Sequence, residues 1–186
     1  MLHEAELLCR AEDMLVEVLG RIRPEDDGIV LPPLHVRAPE PRTLRAAVGQ
    51  HLQDEADVLR ALTGTEAPVD GDVAAAAART CEAAAGAQDG ERRVRSDGRS
   101  TTVRALLVRA TVERSLLAHY VAAHLGSTAC PLPEELARPL WELTSPDADT
   151  WRRAGWFREP LPLPPHVSWR DRFLLTAGHP PHPVPH

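Results

Sequence analysis

Apolar residues recur at helical spacing through much of the first 126 positions, and the polar residues that break the rhythm need explaining. In Leu44–Leu62, positions 44, 48, 51, 55, 58 and 62 follow the alternating four- and three-residue steps that fall on one helix face. All are Leu or Val except His51 and Glu55. In Val103–Gly126 the same spacing selects Val103, Leu106, Ala110, Glu113, Leu117, Tyr120 and His124, so a carboxylate again interrupts an apolar seam. A buried carboxylate is costly unless it is paired, protonated or bound to a metal, which makes His51, Glu55 and Glu113 candidate site residues.

Extended along the chain, the pattern predicts four long helices over about 2–22, 43–63, 70–87 and 100–126. The first carries Leu8, Ala11, Leu15, Val18 and Ile22 on one face and ends before Pro24. Residues 23–42 are proline-rich and form a long crossover rather than a helix. Thr43 is placed to cap the second helix, Asp70 or Asp72 the Ala-rich third, and Ser100 or Thr101 the fourth; Gly64 and Gly126 act as stops. Between the third and fourth, the turn dipeptides Asp89-Gly90 and Asp97-Gly98 flank a short stretch, Arg92–Arg95, that reads as extended. Past Pro131, short helices are expected near Glu134–Leu143 and Asp147–Ala154, followed by a proline-rich run. Three of the four tryptophans lie beyond residue 150, so 131–178 is expected to wrap and seal the helices, whereas the His/Pro-rich 179–186 reads as a disordered tail.

The expectation is one all-α domain over 1–178. The low aromatic share of 4% and the long Ala/Leu/Arg/Glu runs favour helix over sheet. A net charge of −6 without a basic block leaves no electrostatic footprint for nucleic acid and no polybasic membrane patch. No apolar run has the length of a membrane span and no signal peptide is recognisable, so a cytoplasmic location is expected. A small-molecule substrate is the expected partner, with a second copy of the chain left open. All 21 basic residues are Arg, a bias that fits GC-rich coding. Cys9, Cys81 and Cys130 lack a CxxC pair and are expected to be reduced and buried.

The stretch Leu44-Arg-Ala-Ala-Val-Gly-Gln-His-Leu-Gln-Asp-Glu-Ala resembles the second-helix signature of DinB-like bundle proteins, in particular the mycothiol-dependent maleylpyruvate isomerase group. Val112–Gly126 resembles that group's later-helix signature at Glu113 and Gly126, and segments within 132–178 resemble the C-terminal part of an actinobacterial subgroup. The resemblance implies a DinB-like four-helix bundle with a long first crossover, and His51 and Glu113 as metal ligands. Where the family has its third ligand this chain has Leu117, so the triad is degenerate, and Glu55, one turn from His51, is the candidate substitute. The resemblance also implies mycothiol as a co-substrate. No cofactor, or a weakly bound divalent metal, is therefore expected.

Three readings of function stay open. The chain is a small-molecule enzyme of the maleylpyruvate isomerase-like group with an altered metal shell; or an enzyme of that group that has lost the metal and works by acid–base chemistry through Glu113, Glu55 and His51; or a non-catalytic ligand-binding protein on the same scaffold. Tyr120 is the single tyrosine and, on the inner stripe, is a candidate proton donor or substrate-orienting group. Arg109 and Arg114 are expected to face solvent, as helix-surface arginines usually do, and His35 to sit exposed in the crossover.

Overall fold

The computed structural model describes residues 1–183 except 67, 68, 70, 97 and 128. The chain is mostly helical, and the strands among the described residues form only two-stranded antiparallel pairs. No helix among these residues is long and apolar enough to cross a membrane. The chain divides into two compact units, Met1–Arg21 with Arg45–Arg114, and Ile22–Leu44 with the chain from Ser115 onward.

The first unit holds α1 (His3–Leu19), α2 (Leu44–Thr63, from Arg45), α3 (Val73–Gly86) and the first half of α4 (Val103–His124). α1 stops three residues earlier than its periodicity predicts, because Gly20 turns the chain before Pro24. The Asp72 carboxylate caps α3 by accepting from the Ala74 and Ala75 N–H groups at 2.9 and 3.1 Å. Asp70, the other expected cap, lies outside the described residues, as does Asp97 of the expected Asp97-Gly98 turn.

The extended stretch forms β3 (Arg93–Ser96), paired with β4 (Arg99–Thr102) from Arg93↔Thr102 to Ser96↔Arg99. Because 99–102 are strand, α4 begins later than predicted, and its cap is Thr102, whose hydroxyl accepts from the Ala105 N–H at 3.2 Å, not Ser100 or Thr101. Ala5 and Leu8 of α1, Val58 and Leu62 of α2, Ala84 of α3, Val94 of the hairpin and Val103, Leu106, Leu107 and Ala110 of α4 form one buried apolar cluster. It contains Val58 and Leu62, the C-terminal end of the 44–62 stripe, and Leu44, His51 and Glu55 of the stripe are also buried, as predicted. α4 differs: from Leu106 to Ala122 it is buried on nearly every side, with only Arg109 and Glu113 partly open. A helix enclosed all round has no single apolar stripe for a sequence pattern to find.

The second unit pairs β1 (Val30–Leu31) with β2 (Arg42–Thr43) inside the proline-rich crossover, which also opens with a short 3-10 turn at Pro24–Asp26. It continues with the second half of α4, then α5 (Glu134–Thr144), α6 (Ala148–Arg153) and α7 (Trp169–Thr176). Gly126, at φ 85°, ends α4, and the Ser127 N–H returns to the Ala122 carbonyl at 2.9 Å. α5 packs on α7, where Trp141 and Trp169 sit 5.4 Å apart between ring centroids. α7 was not expected as a helix; Ser168 caps it through the Asp171 N–H at 3.0 Å.

The ordered chain passes the expected boundary at Gly178. His179, assigned from its proline-rich surroundings to a disordered tail, is fully buried, and its N–H donates to the Leu174 carbonyl at 2.8 Å. Gly178 makes the turn at φ 82°, and a Cβ there would come within 2.5 Å of the Glu159 carbonyl oxygen. Gly178→Ala is therefore expected to destabilise the fold by about 2 kcal/mol or more, read as a lowered thermal midpoint.

Candidate functional site

The apolar seam of α1 also runs Ala5, Leu8, Glu12, Leu15 and Leu19, and all five are buried. Glu12 is 1% exposed, and it joins Glu55 (2%) and His51 (3%) of α2 and Arg114 (1%) of α4 in one buried polar cluster within the first unit. The Arg114 Nε donates to Glu12 Oε1 at 2.7 Å and to Glu55 Oε1 at 3.0 Å, and Nη2 makes a second, shorter bond to the same Glu55 oxygen. His51 Nδ1 lies 3.7 Å from Glu55 Oε1, one helical turn away. Arg114 was expected in solvent; it is instead the centre of the cluster, because α4 has no solvent face at that position.

Of the Glu12 and Glu55 carboxylates, Arg114 bonds only the Oε1 atoms. Glu12 Oε2, Glu55 Oε2 and His51 Nε2 are left buried without a protein hydrogen-bond acceptor or donor assigned to them. Two carboxylate oxygens and a ring nitrogen left open in one place, with the buried Thr80 hydroxyl beside Glu55, call for protons or a cation. Glu12, His51 and Glu55 each offer a ligand atom, and these atoms lie within 4.8 Å of one another. The residues thus fit a divalent cation, with Glu12 and not Glu113 completing the group that contains His51 and Glu55.

The electrostatics favour a proton instead. Burial drives the Glu12 carboxyl up to about 8, with Arg114 opposing and the charge on Glu55 adding to the rise. Burial also works against ionised Glu55, but the Arg114 guanidinium overrides it and holds that carboxylate down to about 2. Near neutrality one proton therefore sits on Glu12, where its Oε2–H can serve the free Glu55 oxygen and satisfy two orphans at once. Burial, reinforced by Arg114, lowers His51 to about 4, so its ring is neutral and Nε2 remains open. Burial opposes the charge on Arg114 as well, yet Glu55 and Glu12 more than offset it and the guanidinium stays ionised. With Glu12 protonated, His51 neutral and Glu55 and Arg114 opposed, these four groups carry no net charge.

The linkage to stability has two limbs. Glu12 lies above its ordinary 4.5 in the folded state, so its contribution is full below about 4.5 and is lost as pH rises through about 8. His51 lies below its ordinary 6.5, so its contribution is present above 6.5 and is lost as pH falls through about 4. Glu12→Gln keeps an oxygen for Arg114 and removes the first limb. Unfolding free energies from urea titrations between pH 5 and 9 should fall with rising pH in the wild type by about 4 kcal/mol more than in Glu12→Gln; parallel profiles would place the proton elsewhere.

The other expected site residues are dispersed. Glu113 is partly exposed; its Oε2 accepts from Arg114 Nη1 at 3.4 Å, and its charge, after burial, helps raise Asp54 to about 6. Leu117 is a buried apolar side chain of the second unit. Tyr120 also belongs to that unit, where its hydroxyl meets His179 Nδ1 at 2.9 Å. Arg109 donates to the Ser96 hydroxyl at 2.6 Å. His35 is half-buried rather than exposed, packed edge-on against Trp156. No family model, curated protein or solved structure matches the chain.

Proposed function

We propose that the chain is a small-molecule enzyme of the maleylpyruvate isomerase-like type on a DinB-like four-helix bundle, moving protons within a conjugated or carboxylated substrate at Glu12, His51 and Glu55. The observation that supports this most is the geometry of two neighbouring buried carboxyls sharing Arg114 beside the His51 ring, in which burial pushes Glu12 up and Arg114 holds Glu55 down. Groups pushed apart in this way divide into an acid and a base. His51 Nε2 takes a proton from the substrate, and ionised Glu55, 3.7 Å from the other ring nitrogen, stabilises the imidazolium that forms. Glu12 delivers its proton to a second substrate position, and return of the proton from His51 to Glu12 closes the cycle. Arg114 fixes both carboxylates and keeps Glu55 ionised throughout. A divalent cation held by Glu12, His51 and Glu55 would supply Lewis acidity at the same point. The resemblance adds a thiol co-substrate to the proposal.

Burial of all four groups to a few per cent favours one alternative, a ligand-binding protein without turnover in which the cluster organises the helices. Screening thiol plus activated-electrophile pairs with wild type, His51→Ala and Glu12→Gln separates the two. The enzyme reading expects turnover that falls at least about a hundredfold in both variants; binding without turnover under every condition supports the alternative.

A further inference from the structure

In the second unit, His119 and Cys130 form a pair that the acid–base site does not use. His119 is 1% exposed, and its Nε2 donates to the Pro180 carbonyl at 3.0 Å. That bond places the ring proton on Nε2 and leaves the Nδ1 lone pair free. Nδ1 lies 3.2 Å from the Cys130 sulfur, so the thiol proton points at a base already held in the correct tautomer. Burial raises the Cys130 thiol, and the backbone N–H of Leu132 facing the sulfur and the nearby charge of Arg170 only partly oppose it. Cys130, expected from the sequence to be buried, is partly exposed, as are Cys9 and Cys81. Next along α4, Tyr120 holds His179 through Nδ1, and the buried His179 Nε2 has no hydrogen-bond partner among the described residues.

We propose that Cys130 is a nucleophilic thiol activated by His119, a second reactive site that takes soft carbon electrophiles of the activated-alkene class. In the reaction the Cys130 proton passes to His119 Nδ1 and the sulfur electron pair forms a bond to the β-carbon of the alkene. The π electrons move to the activating carbonyl as an enolate, which takes the proton back from the imidazolium at the α-carbon. Thiol and alkene give a thioether, with no oxidant or further reactant. The Pro180 carbonyl orients the ring throughout.

The charged and titratable groups facing the pair are Arg170, Asp171, Glu134, His182 and His179. Burial raises the thiol and lowers the imidazole, so the uncharged pair spans the neutral range. Within that range transfer of the proton inside the pair does not change the total protonation, and the reactive thiolate–imidazolium fraction is independent of pH. An isolated thiol behaves differently, gaining about tenfold in reactivity per pH unit below its pKa.

The test is site-resolved mass spectrometry of N-ethylmaleimide addition to the full folded chain from pH 6.5 to 8.5, with Cys9 and Cys81 followed in the same samples. Cys130 in the folded chain is expected to react with a flat pH profile, whereas in the urea-unfolded chain its rate climbs about tenfold per pH unit. His119→Gln, which retains a donor for Pro180, is expected to lose at least about tenfold and to regain the ordinary pH slope. A wild-type Cys130 rate that climbs about tenfold per pH unit overturns the proposal even if the variant fails to fold.

Discussion

Arg114→Met is expected to destabilise the folded chain by about 3–5 kcal/mol at neutral pH, because it strips the one cation bonded to Glu55 among the described residues and leaves that carboxylate buried without compensation. The loss reflects an abandoned charge rather than the net worth of the ion pair. The double variant Arg114→Met/Glu55→Gln should therefore recover much of it, since no charge then has to be buried. Urea denaturation of the two single variants and the double variant provides the cycle. A loss below about 1 kcal/mol in Arg114→Met would mean that Glu55 finds another way to be neutralised. Zinc should narrow the deficit in Arg114→Met more than it stabilises the wild type, because the guanidinium that repels a dication has gone while the three ligands remain.

The second large effect is a competition between proton and metal. Zinc binding at Glu12, His51 and Glu55 must displace the Glu12 proton, whereas His51, lowered to about 4, and Glu55, lowered to about 2, are already free of theirs near neutrality. Apparent affinity is expected to be weak at pH 5, to rise about tenfold per pH unit, and to level off above the Glu12 value of about 8. Across that span the gain is on the order of a thousandfold. Calorimetry in two buffers of different ionisation enthalpy should report one proton released per zinc at pH 7. His51→Ala supplies the background from histidines elsewhere in the chain. Affinity independent of pH between 5 and 8 would mean that Glu12 is not a ligand.

What the sequence revealed depended on how one-sided each helix is. α2 has one buried face, and its stripe placed His51 and Glu55 on that face, where they are found; its ends at Leu44 and Thr63 differ from the predicted 43–63 by a single residue. α1 fitted two overlapping stripes. The one taken, through Leu8, Ala11, Leu15, Val18 and Ile22, passed beside Glu12, while the 5, 8, 12, 15, 19 stripe contains it. The signal that singled out His51 and Glu55, a charge in an apolar seam, was therefore present at Glu12 and went unread. α4 offered no comparable cue: with its whole girth enclosed, the stripe selected the partly exposed Glu113 and missed its fully buried neighbour Arg114. Prolines misled at the C-terminus, where α7 and the buried His179 follow a run that reads as irregular chain. The His119–Cys130 pair joins a helix to a loop eleven residues on, and no periodicity connects them.

The central claim is that Arg114 holds Glu55 ionised while the proton of the cluster resides on Glu12. Carbon-13 NMR of the glutamate side-chain carboxyls, assigned with Glu12→Gln and Glu55→Gln and followed from pH 3 to 10, reads both groups in the intact protein. The expected result is a Glu12 resonance that titrates near 8 and a Glu55 resonance that stays at its ionised position down to the acid limit of the fold. A Glu12 midpoint in the ordinary carboxylate range of about 4 to 5, or a Glu55 that protonates before Glu12, would contradict it.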